Sequence, residues 1–241
     1  MEIGEWQSHF RDLYGRRNAA FISNRSRLIS YLSVSIRNLA KGYRKAWPKP
    51  ELELAASSVF GWTMAVANSF EGLPLQRAMG FKWGGRRCVY CDQNPCGCVE
   101  DRPAMNRVFD PANKNNNYSW PLSNFQLALR EKYLGRNQAL GLPYAFGRLF
   151  EELGEVTALD AEVAIDQPTV EEIEREYALE LADILGWLLS ICNLLEIDLE
   201  TAILKAYGQS CVECAKQPCV CGKLTLQQGR FRRARPFAQH G

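Results

Sequence analysis

The chain has 241 residues, 46% hydrophobic and 23% charged, an ordinary globular composition that allows one large domain or two small ones. It has no run of about 18 apolar residues, so no transmembrane helix is expected, and residues 1–17 lack the apolar core of a signal peptide, so a cytoplasmic location is expected. The net charge of +2 conceals three blocks, which exclude a uniformly basic nucleic-acid binder: 17 Lys/Arg against 10 Asp/Glu over residues 1–118, 7 against 17 over 119–222, and 5 against none over 223–241.

In chain order, apolar spacing near the 3.6-residue period predicts a helix over residues 28–47, a second over 51–70 and a short third after Leu73. The segment CVYCDQNPCGC then supplies Cys88, Cys91, Cys96 and Cys98. Residues 99–118, rich in Pro and Asn, read as an irregular linker. Beyond it a helix is predicted over 119–136, with Pro121 near its start, and another over 142–160. Thr169 and Glu172 form a capping box, opening a helix that runs through Ile173, Tyr177, Leu181, Ile184, Leu185 and Leu188. Asp198 is the expected N-cap of a last helix, with Glu200 in its first turn. The segment CVECAKQPCVC supplies Cys211, Cys214, Cys219 and Cys221, and a basic tail fills 223–241. No alternating strand pattern stands outside the cysteine hairpins. The expected fold class is all-α, an antiparallel helical bundle.

Both cysteine clusters read C-x2-C-x4-C-x-C with Pro before the third Cys. Four thiolates so close suit a tetrahedral soft-metal site. Zn²⁺ is expected at each, two in all, in a structural role because four sulfurs leave no open position for water. An iron–sulfur cluster, disulfides or free thiols are the alternatives. Cys192, inside ILGWLLSICNLL, reads as a buried small hydrophobe.

The paired clusters point to an internal repeat. RDLYGRRNA (11–19) parallels REKYLGRNQA (130–139), and SVFGW (58–62) parallels DILGW (183–187). Each GW precedes its cluster by a similar distance. The expected plan is a first helical repeat over 1–98, a linker over 99–118, a second repeat over 119–222 and the tail. Each repeat ends in a four-cysteine hairpin, and the two form a pseudo-dimer.

The second repeat carries two carboxylate pairs, Glu152 with Glu155 and Glu180 with Asp183, each three residues apart on one helical face. Facing each other across antiparallel helices, four such groups would repel. A hard divalent cation, usually Mg²⁺, would relieve that repulsion.

EELGE followed by ELADIL resembles the EExxE…ExxD signature of the MazG-like, all-α nucleoside triphosphate pyrophosphohydrolases. LLEIDLETAILKAYG resembles the helix that follows in those proteins. The resemblance covers about residues 142–208. It implies Mg²⁺-dependent hydrolysis of an NTP or dNTP to the monophosphate and pyrophosphate. It also implies that Glu152, Glu155, Glu180 and Asp183 bind Mg²⁺, while Glu151 orients a ligand or activates water. Lys205 matches a family position, but the Lys and Arg that meet phosphate further on are not present here. Superposing Leu28 on Leu142 puts Arg37, Asn38 and Lys41 opposite Glu151, Glu152 and Glu155. Superposing the GW pairs puts Ala55 and Ser58 opposite Glu180 and Asp183. The first repeat is thus expected to be a degenerate copy, with Arg37, Lys41 or Arg44 joining Lys205 at the phosphates. Trp187, Tyr144, Phe146 and Asn193 are candidates for base recognition, and homo-oligomerisation is a further expectation. The rival readings are a nucleotide sensor without turnover and a zinc module binding nucleic acid. The latter would use a tail in which Arg230, Arg232, Arg233 and Arg235 interleave with Phe231 and Phe237.

Overall fold

The structure, a computed structural model, describes residues 1–19, 25–88, 90–98, 109–110, 119–166 and 169–221. The basic tail and, apart from residues 109 and 110, the linker lie outside the described residues. Seven helices and no strand occur among them: α1 (Ile3–Asn18), α2 (Arg25–Arg44), α3 (Lys49–Ala67), α4 (Leu75–Trp83), α5 (Leu122–Asp166), α6 (Val170–Leu194) and α7 (Leu199–Tyr207). The expected all-α class therefore holds.

Helix α1 adds to the predicted set. Glu2 and Glu5 form its capping box, and Ile3, Trp6, Phe10 and Leu13 line one buried stripe at helical spacing. Helix α2 stops three residues before the predicted end at Trp47. Ala46 turns left-handed (φ 49°), and the Trp47 amide donates to the Gly42 carbonyl at 2.9 Å, closing the helix end. The Trp47 ring then folds over Gly42, where a Cβ would come within 2.6 Å of it. Helix α6 closes the same way: Glu196 has φ 54° and the Ile197 amide reaches the Cys192 carbonyl at 2.8 Å.

The two helices predicted over 119–136 and 142–160 are the two arms of α5, broken at Gly141 (φ 80°, ψ 164°). Pro143 follows in the first turn of the second arm, where a missing N–H leaves no helical bond unmade. The predicted caps are in place. Thr169 Oγ1 accepts from the Glu172 amide at 3.2 Å, and Asp198 accepts from the Thr201 amide at 3.0 Å.

Helix α6 is long and apolar enough to cross a membrane by length and composition, with mean hydropathy 1.3. It is instead the central helix of this protein. Every residue from 184 to 193 is buried, and that run covers every side of the helix. The second arm of α5 runs antiparallel to it: Glu152 meets Trp187 and Asp160 meets Tyr177. Helices α2 and α3 pair likewise, with Tyr31 stacked on Trp62 at 4.5 Å. Helix α3 also packs on α6, α4 on α6, and α7 on α3. The short helix of each half thus lies against the long helix of the other.

Candidate metal centres and the acidic cavity

Each cysteine cluster brings four Sγ atoms within 4.8 Å of one another, and all eight thiols are free. Cys91–Cys96 and Cys211–Cys221 stand 3.9 Å apart and Cys214–Cys219 4.0 Å. A disulfide needs about 2.05 Å, whereas a tetrahedral site with Zn–S near 2.3 Å spaces its sulfurs by about 3.8 Å. The donor set therefore fits zinc.

The clusters dock crosswise. The Cys96 amide donates to the Lys132 carbonyl on α5, and the Cys219 amide to the Leu13 carbonyl on α1, each at 2.8 Å. One residue on, Tyr133 faces Cys88 and Tyr14 faces Cys211. Burial pushes both phenols far up, reinforced by Tyr207 and then Cys211 at Tyr14 and by Cys88 at Tyr133. The next turn also matches. Arg17 lies 4.0 Å over the Tyr14 ring and bonds Asn18, while Arg136 lies 4.9 Å over Tyr133 and bonds Asn137.

A cavity of about 170 Å³ opens where α4, α5 and α6 meet, and Glu152, Glu155 and Asp183 line it. Glu152, Glu180 and Asp183 each offer a carboxylate oxygen within 4.8 Å of the others. Glu152 is 4% exposed and accepts from Trp187 Nε1 and from Arg148, each at 3.2 Å. Burial pushes its carboxyl up to about 8, and Asp183 and Glu155 add like charge against ionisation. Burial pushes Glu180 up to about 8 as well, followed by the neighbouring Glu155 side chain. Glu180 Oε2 is buried with no hydrogen-bond partner. Burial likewise raises Asp183, opposed by Lys82. An orphaned carboxylate oxygen in an oxygen-only donor set fits a hard divalent cation such as Mg²⁺.

Four of the five predicted acids gather here. The fifth, Glu151, is exposed and pairs with Arg148 beside the site. Trp187 also lines the cavity, and Tyr144 meets its ring edge-on at 6.0 Å. The predicted cations are elsewhere. Arg37, Lys41 and Arg44 are exposed on α2, and Lys205 pairs with Glu53 at 3.5 Å; none lines the cavity. Phe146 stacks on Tyr43, and Asn193 is tied to Gln126 within the bundle.

The α2 result has a plain cause. The buried residues Leu28, Ile29, Leu32, Ile36 and Leu39 match the spacing of Ala145, Phe146, Leu149, Leu153 and Val156, three residues away from the Leu28-on-Leu142 register. In that register Ser35 and Asn38, both buried, stand opposite Glu152 and Glu155.

Among the described residues, three other cations reach the site. Arg148 has a sequence signal, since it lies three and four residues before Glu151 and Glu152. Arg136 belongs to the repeated Arg-Asn pair and faces Trp187 at 5.9 Å. Lys82, on α4, pairs with Asp183 and has no local signal. Burial alone would lower its ammonium, but Asp183, with Glu180 and Glu152, more than reverses this and raises it. The first cluster also contributes: Tyr90, between Cys88 and Cys91, lines the cavity.

Comparison with protein-family models, with curated proteins and with solved structures finds no match.

Proposed function

We propose that this chain is a Mg²⁺-dependent nucleoside triphosphate pyrophosphohydrolase of the MazG-like kind, built from a fused active and inactive copy. The observation that carries the reading is the meeting of carboxylate oxygens of Glu152, Glu180 and Asp183 within 4.8 Å, at the edge of a cavity that Glu155, aromatic rings and guanidinium groups also line. Glu152, Glu155, Glu180 and Asp183 would hold the metal. When bound, Mg²⁺ would supply charge neutralisation for the phosphates and Lewis acidity for the attack of water. Trp187 and Arg148 orient Glu152 through the hydrogen bonds described above. Arg136 and Arg148 meet phosphate charge as it develops, and Trp83, Tyr133 and Trp187 exclude water and offer rings to a base.

The fused-copy reading draws support from the matched docking of the two clusters. Tyr133 meets Trp83 at 6.4 Å as Tyr14 meets Tyr207 at 6.2 Å, both edge-on. On the inactive side, Ser58 and Tyr207 interact near the position that Asp183 occupies on the active side. Two zinc ions complete the chain, one per cluster, in a structural role.

The test is a panel of NTPs and dNTPs with Mg²⁺, read for monophosphate and pyrophosphate. Turnover is expected and should fall by at least about 100-fold in Glu152→Gln and Asp183→Asn. Turnover that survives both substitutions overturns the assignment, and binding without turnover selects a nucleotide sensor instead.

A further inference from the structure

We propose that Lys82 is an exchangeable counter-ion: it stands in for the divalent cation at Asp183 and passes to the substrate's phosphate when the ion takes that carboxylate. The proposal rests on the pyrophosphohydrolase reading above. The acidic groups come from α5 and α6, and among their ion pairs α5 supplies Arg148, which engages Glu151 and Glu152. Asp183 receives its cation from α4, 101 residues away in sequence. The end of α4 is fixed at three points. Trp83 Nε1 donates to the Ala182 carbonyl at 2.8 Å, and the ammonium of Lys132, itself 1% exposed, donates to the carbonyls of Trp83 and Gly85, each at 2.8 Å. The Trp83 ring sits tight over Gly186, where a Cβ would come within 2.5 Å of it.

The backbone that carries Lys82 is therefore held, while its four-carbon stem leaves the ammonium free to swing. An ammonium and a divalent ion cannot share one carboxylate oxygen without strong like-charge repulsion. With Asp183 taken up as a ligand, Lys82 would be released to meet the substrate's phosphate. Lys82 is thus a substrate-binding residue, and between turnovers it keeps Asp183 neutralised.

The experiment uses the full, zinc-loaded chain and Mn²⁺ as the probe, with free Mn²⁺ read by electron paramagnetic resonance and no nucleotide present. Lys82→Met should bind Mn²⁺ about tenfold more tightly than the parent, and Lys82→Arg about as the parent does. At saturating Mn²⁺, Lys82→Met should bind a non-hydrolysable triphosphate analogue about tenfold more weakly. Circular dichroism checks folding, and Lys82→Gln carries the same two readouts if the Met variant is unfolded. Unchanged or weaker Mn²⁺ binding in a folded neutral variant overturns the exchange, and unchanged analogue affinity overturns the transfer to phosphate. If tighter Mn²⁺ binding appears but the parent hydrolyses no nucleotide, the exchange stands and the pyrophosphohydrolase reading falls.

Discussion

On the proposed metal role of the acidic cluster, metal binding should release protons. Glu152 and Glu180 are both pushed up to about 8, burial first, so below that pH both are largely protonated in the metal-free chain. A divalent ion needs the ionised form of each, and its binding must displace up to about two protons. Apparent Mg²⁺ affinity should therefore climb by about 10- to 100-fold per pH unit between about pH 6 and pH 8, then level off. The steeper figure holds at the acidic end, where both groups are protonated before the ion binds. Calorimetric titration of Mg²⁺ in two buffers of different ionisation enthalpy counts the protons directly. Flat affinity and no proton release across that range would refute the assignment of these carboxylates as ligands. Stability in the absence of metal carries the opposite trend. Both groups hold protons more tightly folded than unfolded, where glutamate sits near about 4.3. Their contribution is full below that value and is lost as pH rises through about 8. The melting temperature should fall over the same interval, and Mg²⁺ should restore it most at the alkaline end.

Two glycines on the site helices should respond oppositely to alanine. Gly186→Ala drives a methyl into the Trp83 ring, so a loss of about 1–3 kcal/mol is expected in denaturant unfolding, with weaker nucleotide binding. Gly154 has nothing within 4 Å of an added Cβ, and Gly154→Ala should stabilise by about 0.5–1 kcal/mol. Atomic absorption should find two zinc ions per chain. Cys88→Ser should lose one, with a drop in stability on the order of the ~10 kcal/mol that a structural zinc site can supply. Asp198→Ala removes the cap on the Thr201 amide and should cost about 1 kcal/mol by thermal unfolding.

The local features of this fold were legible because they are written locally. The Thr169 and Asp198 caps, the apolar period of α6, the two cysteine clusters and the pairs Glu152–Glu155 and Glu180–Asp183 each fit within a few turns of chain. Helix α1 was missed although Ile3, Trp6, Phe10 and Leu13 carry its period. The register of α2 was misplaced because matching one leucine to another ignores which face is buried. With the face taken into account, small polar residues (Ser35 and Asn38) stand opposite the acids, and Arg37 and Lys41 point to solvent. Lys82 was invisible for a different reason. Its meaning depends on α4 lying across α6, a long-range packing that no spacing within 75–83 reveals.

The crosswise seating of the cysteine hairpins determines which parts of the molecule open together. Residues 211–221 are tied to α1, and residues 88–98 to the first arm of α5, so neither half can release its own hairpin without disturbing a helix of the other. Amide hydrogen exchange should then report opening units that pair the start of the chain with its second hairpin, and its middle with the first. A cut in the 99–118 connection would leave two fragments still clasped.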